Sequence, residues 1–183
     1  MVQAAQIQPP GTALIRDARD TDLPAIRDIY TPHVLHGLAT FEEEPPDLAA
    51  WTERRAAVLA MGLPFLVLER QGRVLGYAYA NTYRARPAYR WTLEDSIYLA
   101  PDQGGQGLGT ALLGELLARC SAGPWRQMVA VIGHSGNLGS IAVHRRLGFQ
   151  DCGTMRAVGF KLGQWVDTVM MQRELGLGAS CLP

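Results

Sequence analysis

The chain has no surplus of either charge: its 183 residues hold 17 Lys and Arg against 17 Asp and Glu. Nucleic acids and anionic membranes are bound by clustered basic residues, so neither is expected as a partner. No apolar run approaches the roughly 18 residues of a membrane span. Residues 1–12 are polar, contain Pro9-Pro10-Gly11, and lack the charged and apolar regions of a secretory signal, so they read as a disordered leader. Cysteine is scarce, and Cys120, Cys152 and Cys181 are odd in number and far apart, which suits reduced thiols in the cytoplasm better than a disulfide framework. His33 and His36 stand three apart with no third ligand in view, so no metal is expected. These absences leave a small-molecule ligand, served by one domain over 13–176 with a flexible tail at 177–183.

What the chain does have is Gln103-Gly104-Gly105-Gln106-Gly107-Leu108-Gly109-Thr110, set between the strand-like Ser96-Ile97-Tyr98-Leu99 and a helix-like run from Ala111. Glycines at this density let the backbone turn without Cβ clashes and leave amides at a helix N-terminus facing whatever docks there, a cradle for a pyrophosphate. A dinucleotide fingerprint would close its next strand with a carboxylate, but Gln127-Met128-Val129-Ala130-Val131-Ile132 ends without one. A Walker loop needs Gly-Lys-Ser/Thr, and no lysine stands near.

Hydrophobic periodicity and breakers order the rest. A strand is expected at 13–16, helices at 22–36 and 48–61, and a hairpin of strands 65–69 and 74–83 around Gln71-Gly72-Arg73. A polar bend, 84–90, leads to a strand at 91–99, and the glycine loop feeds a helix to about 119. The run 127–132 reads as a central strand buried on both faces, followed by a short helix at 137–147 and strands at 149–155 and 165–173. The expected class is α/β, a mixed and mostly antiparallel sheet flanked by helices.

The loop, with Asn137, Ala142, His144 and the ending Leu147-Gly148-Phe149, resembles the GNAT superfamily of N-acetyltransferases. The blocks Ala85-Arg86-Pro87-Ala88-Tyr89-Arg90-Trp91-Thr92-Leu93-Glu94 and Arg156-Ala157-Val158-Gly159-Phe160-Lys161-Leu162-Gly163-Gln164-Trp165 look like its phosphinothricin and methionine sulfoximine branch. The match runs from about Ile15 to Leu175. It implies the GNAT fold, acetyl-CoA as co-substrate, a small amine acceptor and a homodimer. The resemblance places the coenzyme against Tyr98, Leu99, Gly104, Gly105, Gln106, Gly107, Leu108, Gly109, Thr110, Asn137 and Ser140. The family often carries Arg or Gln where this chain has Gly104, so coenzyme affinity is expected to be altered and binding retained, since backbone amides carry most of the phosphate load.

Acetyl transfer to an amine needs a proton acceptor, an oxyanion donor and help for the departing thiolate. Strand alternation puts Glu94, Ser96 and Tyr98 on one face and Asp95 on the other. A carboxylate among aromatic and aliphatic neighbours needs either work or a partner. The resemblance makes Glu94 the general base, and a salt bridge to Arg84, Arg86 or Arg90 is the plain alternative. His144 stands where many relatives carry a thiolate-protonating tyrosine, and it could equally be a satisfied helix histidine. The backbone amide near Leu99 is the implied oxyanion donor, with Pro101 suited to end strand pairing. For the acceptor, the resemblance offers Arg86 and Arg84 for a carboxylate, Phe41, Tyr89 and Trp91 as walls, and Lys161 with Trp165 beside the substrate and at the dimer contact.

Two other readings remain open. A cationic acceptor such as a polyamine, an aminoglycoside or a protein N-terminus would want an acidic mouth, and Glu42-Glu43-Glu44 is the one acidic cluster, more simply read as solvated surface. A non-catalytic acyl-CoA sensor is the second, permitted by Gly104 and opposed by Glu94.

Overall fold

The computed structural model describes residues 13–182; the expected leader lies outside the described residues. The chain runs β1 (Leu14–Asp17), α1 (Leu23–His36), α2 (Leu48–Ala60), β2 (Phe65–Arg70), β3 (Arg73–Thr82), β4 (Thr92–Leu99), α3 (Leu108–Ser121), β5 (Gln127–Gly133), α4 (Leu138–Arg146), β6 (Gln150–Lys161) and β7 (Gln164–Glu174), with short 3-10 turns at Asp20–Asp22 and Pro87–Tyr89. The seven strands form one sheet in the order β1-β2-β3-β4-β5-β7-β6. Of the neighbouring pairs, β4 with β5 is parallel and the others are antiparallel, the mixed, mostly antiparallel sheet expected from the sequence.

The helices form on apolar stripes, and α2 and α4 also start at side-chain caps, Asp47 and Asn137. Leu112, Leu113, Leu116, Leu117 and Cys120 recur at helical spacing and are all buried, so α3 packs one face on the sheet. Each such leucine contributes about 1.5–3 kcal/mol by leaving water. The Asp47 side chain accepts a hydrogen bond from Ala50 N at 2.8 Å and starts α2. On one face of the sheet, α1 and α2 set Tyr30 and Trp51 edge-on against Tyr98 and Tyr77. On the other lie α3 and α4.

The feature that makes a site is a divergence of two strands. β4 and β5 pair only at Thr92↔Gln127, Leu93↔Met128 and Glu94↔Val129, although β4 continues to Leu99 and β5 to Gly133. The loop after α1 sits against the far end of β5: a Cβ on Gly133 would lie 2.6 Å from Leu38 O and 2.9 Å from Ala39 O. Only glycine fits under that loop.

Three sequence expectations need correction. β5 is not buried on both faces, since Val131 is 37% exposed, because it lines the space left by the divergence. α3 begins at Leu108, three residues early, because Gly107, at φ 76°, takes the left-handed N-cap position. β6 runs on to Lys161 through an irregularity between Met155 and Gly159, where Ala157 has φ 51°.

Candidate active site

The cleft opened between β4 and β5 has a volume of about 1190 Å³ and reaches from the glycine loop to the loop after α1. Its first half is built of backbone. Ala100 N donates to Leu75 O, and Tyr83 N donates to Thr92 O, so the even-numbered residues of β4 turn their peptide groups to β3. The odd-numbered ones face β5, whose pairing has ended at Glu94. The amides of Ile97 and Leu99 therefore open on the cleft. His134 N donates to Asp167 O, which by the same alternation turns the Val131 peptide groups towards the cleft from the other wall. The Leu99 carbonyl is already taken, accepting from His33 Nε2 at 3.0 Å.

At one end of this slot, Gly104, Gly105, Gly107, Leu108, Gly109 and Thr110 line the approach to the N-terminus of α3. A Cβ built on Gly104, Gly105 or Gly107 would meet nothing within 4 Å, so the space over the loop is open to a ligand. Amides at a helix start, in such a cradle, suit a diphosphate. Opposite, the Asn137 side chain accepts from Ser140 N at 3.3 Å and caps α4, and both residues line the cleft. These residues fit the phosphate and amide groups of a coenzyme A molecule. Gln106 points elsewhere and, with Gln103, accepts from Arg70 Nη2, a link that ties the loop to the end of β2.

The second half is built of side chains. Glu94 and Tyr98 face it with Ser96, as alternation required, and Asn81 and Tyr79 stand directly across on β3. Tyr30, Thr40, Phe41, Glu42 and Arg54 close it from α1, α2 and the intervening loop. Among the described residues Glu94 has no hydrogen-bond or ion-pair partner, so the alternative of a salt bridge finds no partner. Burial, helped by the charge of Asp95 and opposed by Arg84, pushes its pKa up to about 7.

Asp95 faces the other side, and sequence reasoning missed its partner. Asp95 Oδ2 accepts from His144 Nε2 at 3.0 Å, with both side chains 2% exposed. His144 Nδ1 lies 2.7 Å from Ser140 O, and since a carbonyl can only accept, Nδ1 carries a proton. Burial works to lower the His144 pKa, but the bond and charge of Asp95 and the Ser140 carbonyl outweigh it and hold it above the ordinary histidine value. Both ring nitrogens are thus engaged within the protein, and Asp95 Oδ1 is buried with no partner among the described residues. Cys120, buried nearby, has its thiol pushed up to about 12 by burial and by Asp95, which makes it inert.

The remaining acceptor candidates lie outside the cleft wall. Arg84 and Arg86 are exposed, Arg84 stacking on Tyr83, while Tyr89 lines a separate hollow of about 250 Å³ with Tyr83 and Thr92. Lys161, the only lysine of the chain, is buried, and its Nζ donates to Thr40 O at 2.8 Å. Its place is under the loop after α1, because that carbonyl needs a donor there, and the Phe41 ring is seated on Gly159 beside it. Arg54 was not singled out from sequence, although it shares the α2 stripe of Trp51 and Val58 at helical spacing.

Residues 23–149 match the Acetyltransferase (GNAT) family. The chain belongs to the GNAT acetyltransferase family. This acetyltransferase is 56% identical over 169 residues to the phosphinothricin N-acetyltransferase of Alcaligenes faecalis, covering 92% of this chain and 86% of that one. It is 45% identical to the L-methionine sulfoximine/L-methionine sulfone acetyltransferase of Pseudomonas aeruginosa, covering 90% and 95%. A crystal structure of a GNAT superfamily phosphinothricin acetyltransferase from Sinorhizobium meliloti in complex with AcCoA superimposes with a TM-score of 0.90 at 49% identity, covering 94% of this chain and 93% of that one.

Proposed function

We propose that the chain is an acetyl-CoA-dependent N-acetyltransferase that acts by direct transfer on the α-amino group of a small amino-acid-like acceptor of the phosphinothricin, methionine sulfoximine or methionine sulfone type. The observation that carries this reading is Glu94, a half-buried carboxylate with no partner among the described residues, at the point where β4 and β5 part. An acceptor amine arrives protonated and must lose its proton before it can attack. A carboxylate with a pKa of about 7 is a competent base near neutral pH, where an ordinary glutamate would be too weak. Acetyl-CoA supplies the activated acyl group when bound. The free amides of Ile97 and Leu99 stand ready to stabilise charge on the thioester oxygen, and the loop amides at the start of α3 hold the diphosphate. Arg84, exposed outside the cleft wall but with its charge acting on Glu94, is the guanidinium we assign to the acceptor carboxylate.

His144 acts in this reading as a positioning group. Its bond to Asp95 fixes β4 against α4, and with both nitrogens bound it presents neither to a departing thiolate. The three cysteines are all free, in keeping with a cytoplasmic enzyme, and the family likeness suggests detoxification of amino-acid analogues. A homodimer that covers Val158, Phe160, Leu162 and Trp165, all exposed on the β6–β7 hairpin, completes the proposal. Sedimentation at micromolar concentration should give twice the chain mass. The cationic-acceptor reading is disfavoured because Arg54 lines the cleft and binds Glu42, removing the acidic mouth such a substrate would seek.

Release of coenzyme A thiol from acetyl-CoA with L-methionine sulfoximine, against a control without acceptor, tests the function. Acceptor-dependent release is expected. Background release alone would overturn it.

A further inference from the structure

The acceptor half of the cleft contains a cation that the reaction, as derived above, does not use. Arg54 projects from α2 with its guanidinium 4.7 Å from the centre of the Trp51 ring, and its Nη2 donates to Glu42 Oε1 at 2.9 Å. The shelf beneath it is rigid. Trp51 is fully buried and packs edge-on against Tyr30 and Tyr77, and the Tyr30 hydroxyl is bonded to Thr40 Oγ1 at 2.6 Å. Arg54 Nε and Nη1 have no protein partner among the described residues, and neither is sealed from solvent, so the guanidinium keeps donors open to the cleft.

Its position relative to Glu94 is set by sheet register. Asn81 is directly across from Glu94, and Tyr79, which lines the cleft with Arg54, is directly across from Ser96. Arg54 therefore lines the same cleft as the base, within electrostatic reach of Tyr79 and Tyr30. A guanidinium with a free edge, stacked on an indole and half-satisfied by a loop carboxylate, is built to exchange or share that carboxylate with a second anion.

We propose that Arg54 is a specificity-determining residue that binds an anionic head group on the acceptor side chain, with Glu42 as its competitor. This rests on the acceptor class given under Proposed function. The enzyme then prefers an acceptor with an anionic phosphinate head, such as L-phosphinothricin, over one with a neutral sulfone head, such as L-methionine sulfone. The alternative is that the Arg54–Glu42 pair only latches the loop after α1 onto α2.

Steady-state kinetics with both acceptors separate the two. Arg54→Gln should raise KM for L-phosphinothricin about tenfold or more, as expected when one member of a charge pair is truncated. KM for L-methionine sulfone should move less than about threefold, with kcat for both close to that of the wild type. Glu42→Gln should act in the opposite direction and lower KM for L-phosphinothricin, because it frees Arg54. Equal rises in KM for both acceptors, or Glu42→Gln reproducing Arg54→Gln, would establish the latch and overturn the proposal. So would unchanged constants. A wild-type enzyme that acetylates neither acceptor would overturn the acceptor class and the role of Arg54 together, whereas the pattern above tests Arg54 alone.

Discussion

Glu94 and Asp95 are neighbours on one strand, and the sheet sends them to different chemistry. Glu94 faces the cleft, has no partner among the described residues, and has its pKa raised by burial to about 7. Asp95 faces the helices and is locked to His144 in a pair sealed from water. In the proposed reading, the carboxylate buried with a partner serves the structure and the one buried without a partner serves as the base. The difference arises from the pleat, which turns adjacent side chains to opposite faces.

The largest test of this contrast is Asp95→Ala. Removing one member of a buried pair strands the other, here the His144 imidazole, and should cost about 3–5 kcal/mol of stability in urea denaturation. Turnover of the folded fraction should fall less than about tenfold, in contrast to loss of a catalytic acid or base. The penalty should shrink at high pH. His144 is held above its ordinary pKa, so its contribution is complete below the unfolded value and fades as pH rises through the folded one. A variant that stays stable but loses turnover would reverse the roles of the two carboxylates.

Next is Glu94→Gln, expected to lower kcat about 10²-fold or more with saturating acceptor at pH 8 while the protein stays folded. Normal turnover would remove Glu94 as the base. The same variant predicts a smaller effect on stability. Folding raises the Glu94 pKa to about 7, so the folded state favours the protonated form. Stability is complete below the unfolded glutamate value and falls as pH rises through about 7. Glu94→Gln should therefore melt a few degrees higher than the wild type at pH 8 and at nearly the same temperature at pH 4. An equal difference at both pH values would mean that Glu94 is not held in its neutral form.

The glycine-loop half of the cleft was legible in the sequence because its parts are local. Glycine density marks the loop, and Asn137 sits at the start of a helix it then caps. The acceptor half was less so, because it is made by contacts between distant segments. Asp95 and His144 are 49 residues apart, and nothing in either neighbourhood announces the other. Lys161 reads as a polar residue beside a substrate, yet it is used 121 residues away from its position in the chain, under the Thr40 carbonyl. Arg54 lies on the apolar stripe of α2, where an arginine reads as an interruption, and only the fold shows its guanidinium over Trp51 in the wall of the cleft. The divergence of β4 and β5 is a matter of strand pairing, which the apolar run 127–132 could not disclose.

The most direct test of Glu94 as a base tuned by its surroundings is the pH dependence of kcat/KM for the wild type and Glu94→Gln, with the acceptor amine's own titration taken into account. The wild-type profile should rise through an apparent pKa of about 7 that belongs to Glu94, and the residual activity of Glu94→Gln should lack that step. A step that persists unchanged in Glu94→Gln, or a wild-type profile with no step between pH 5 and 8, would contradict it.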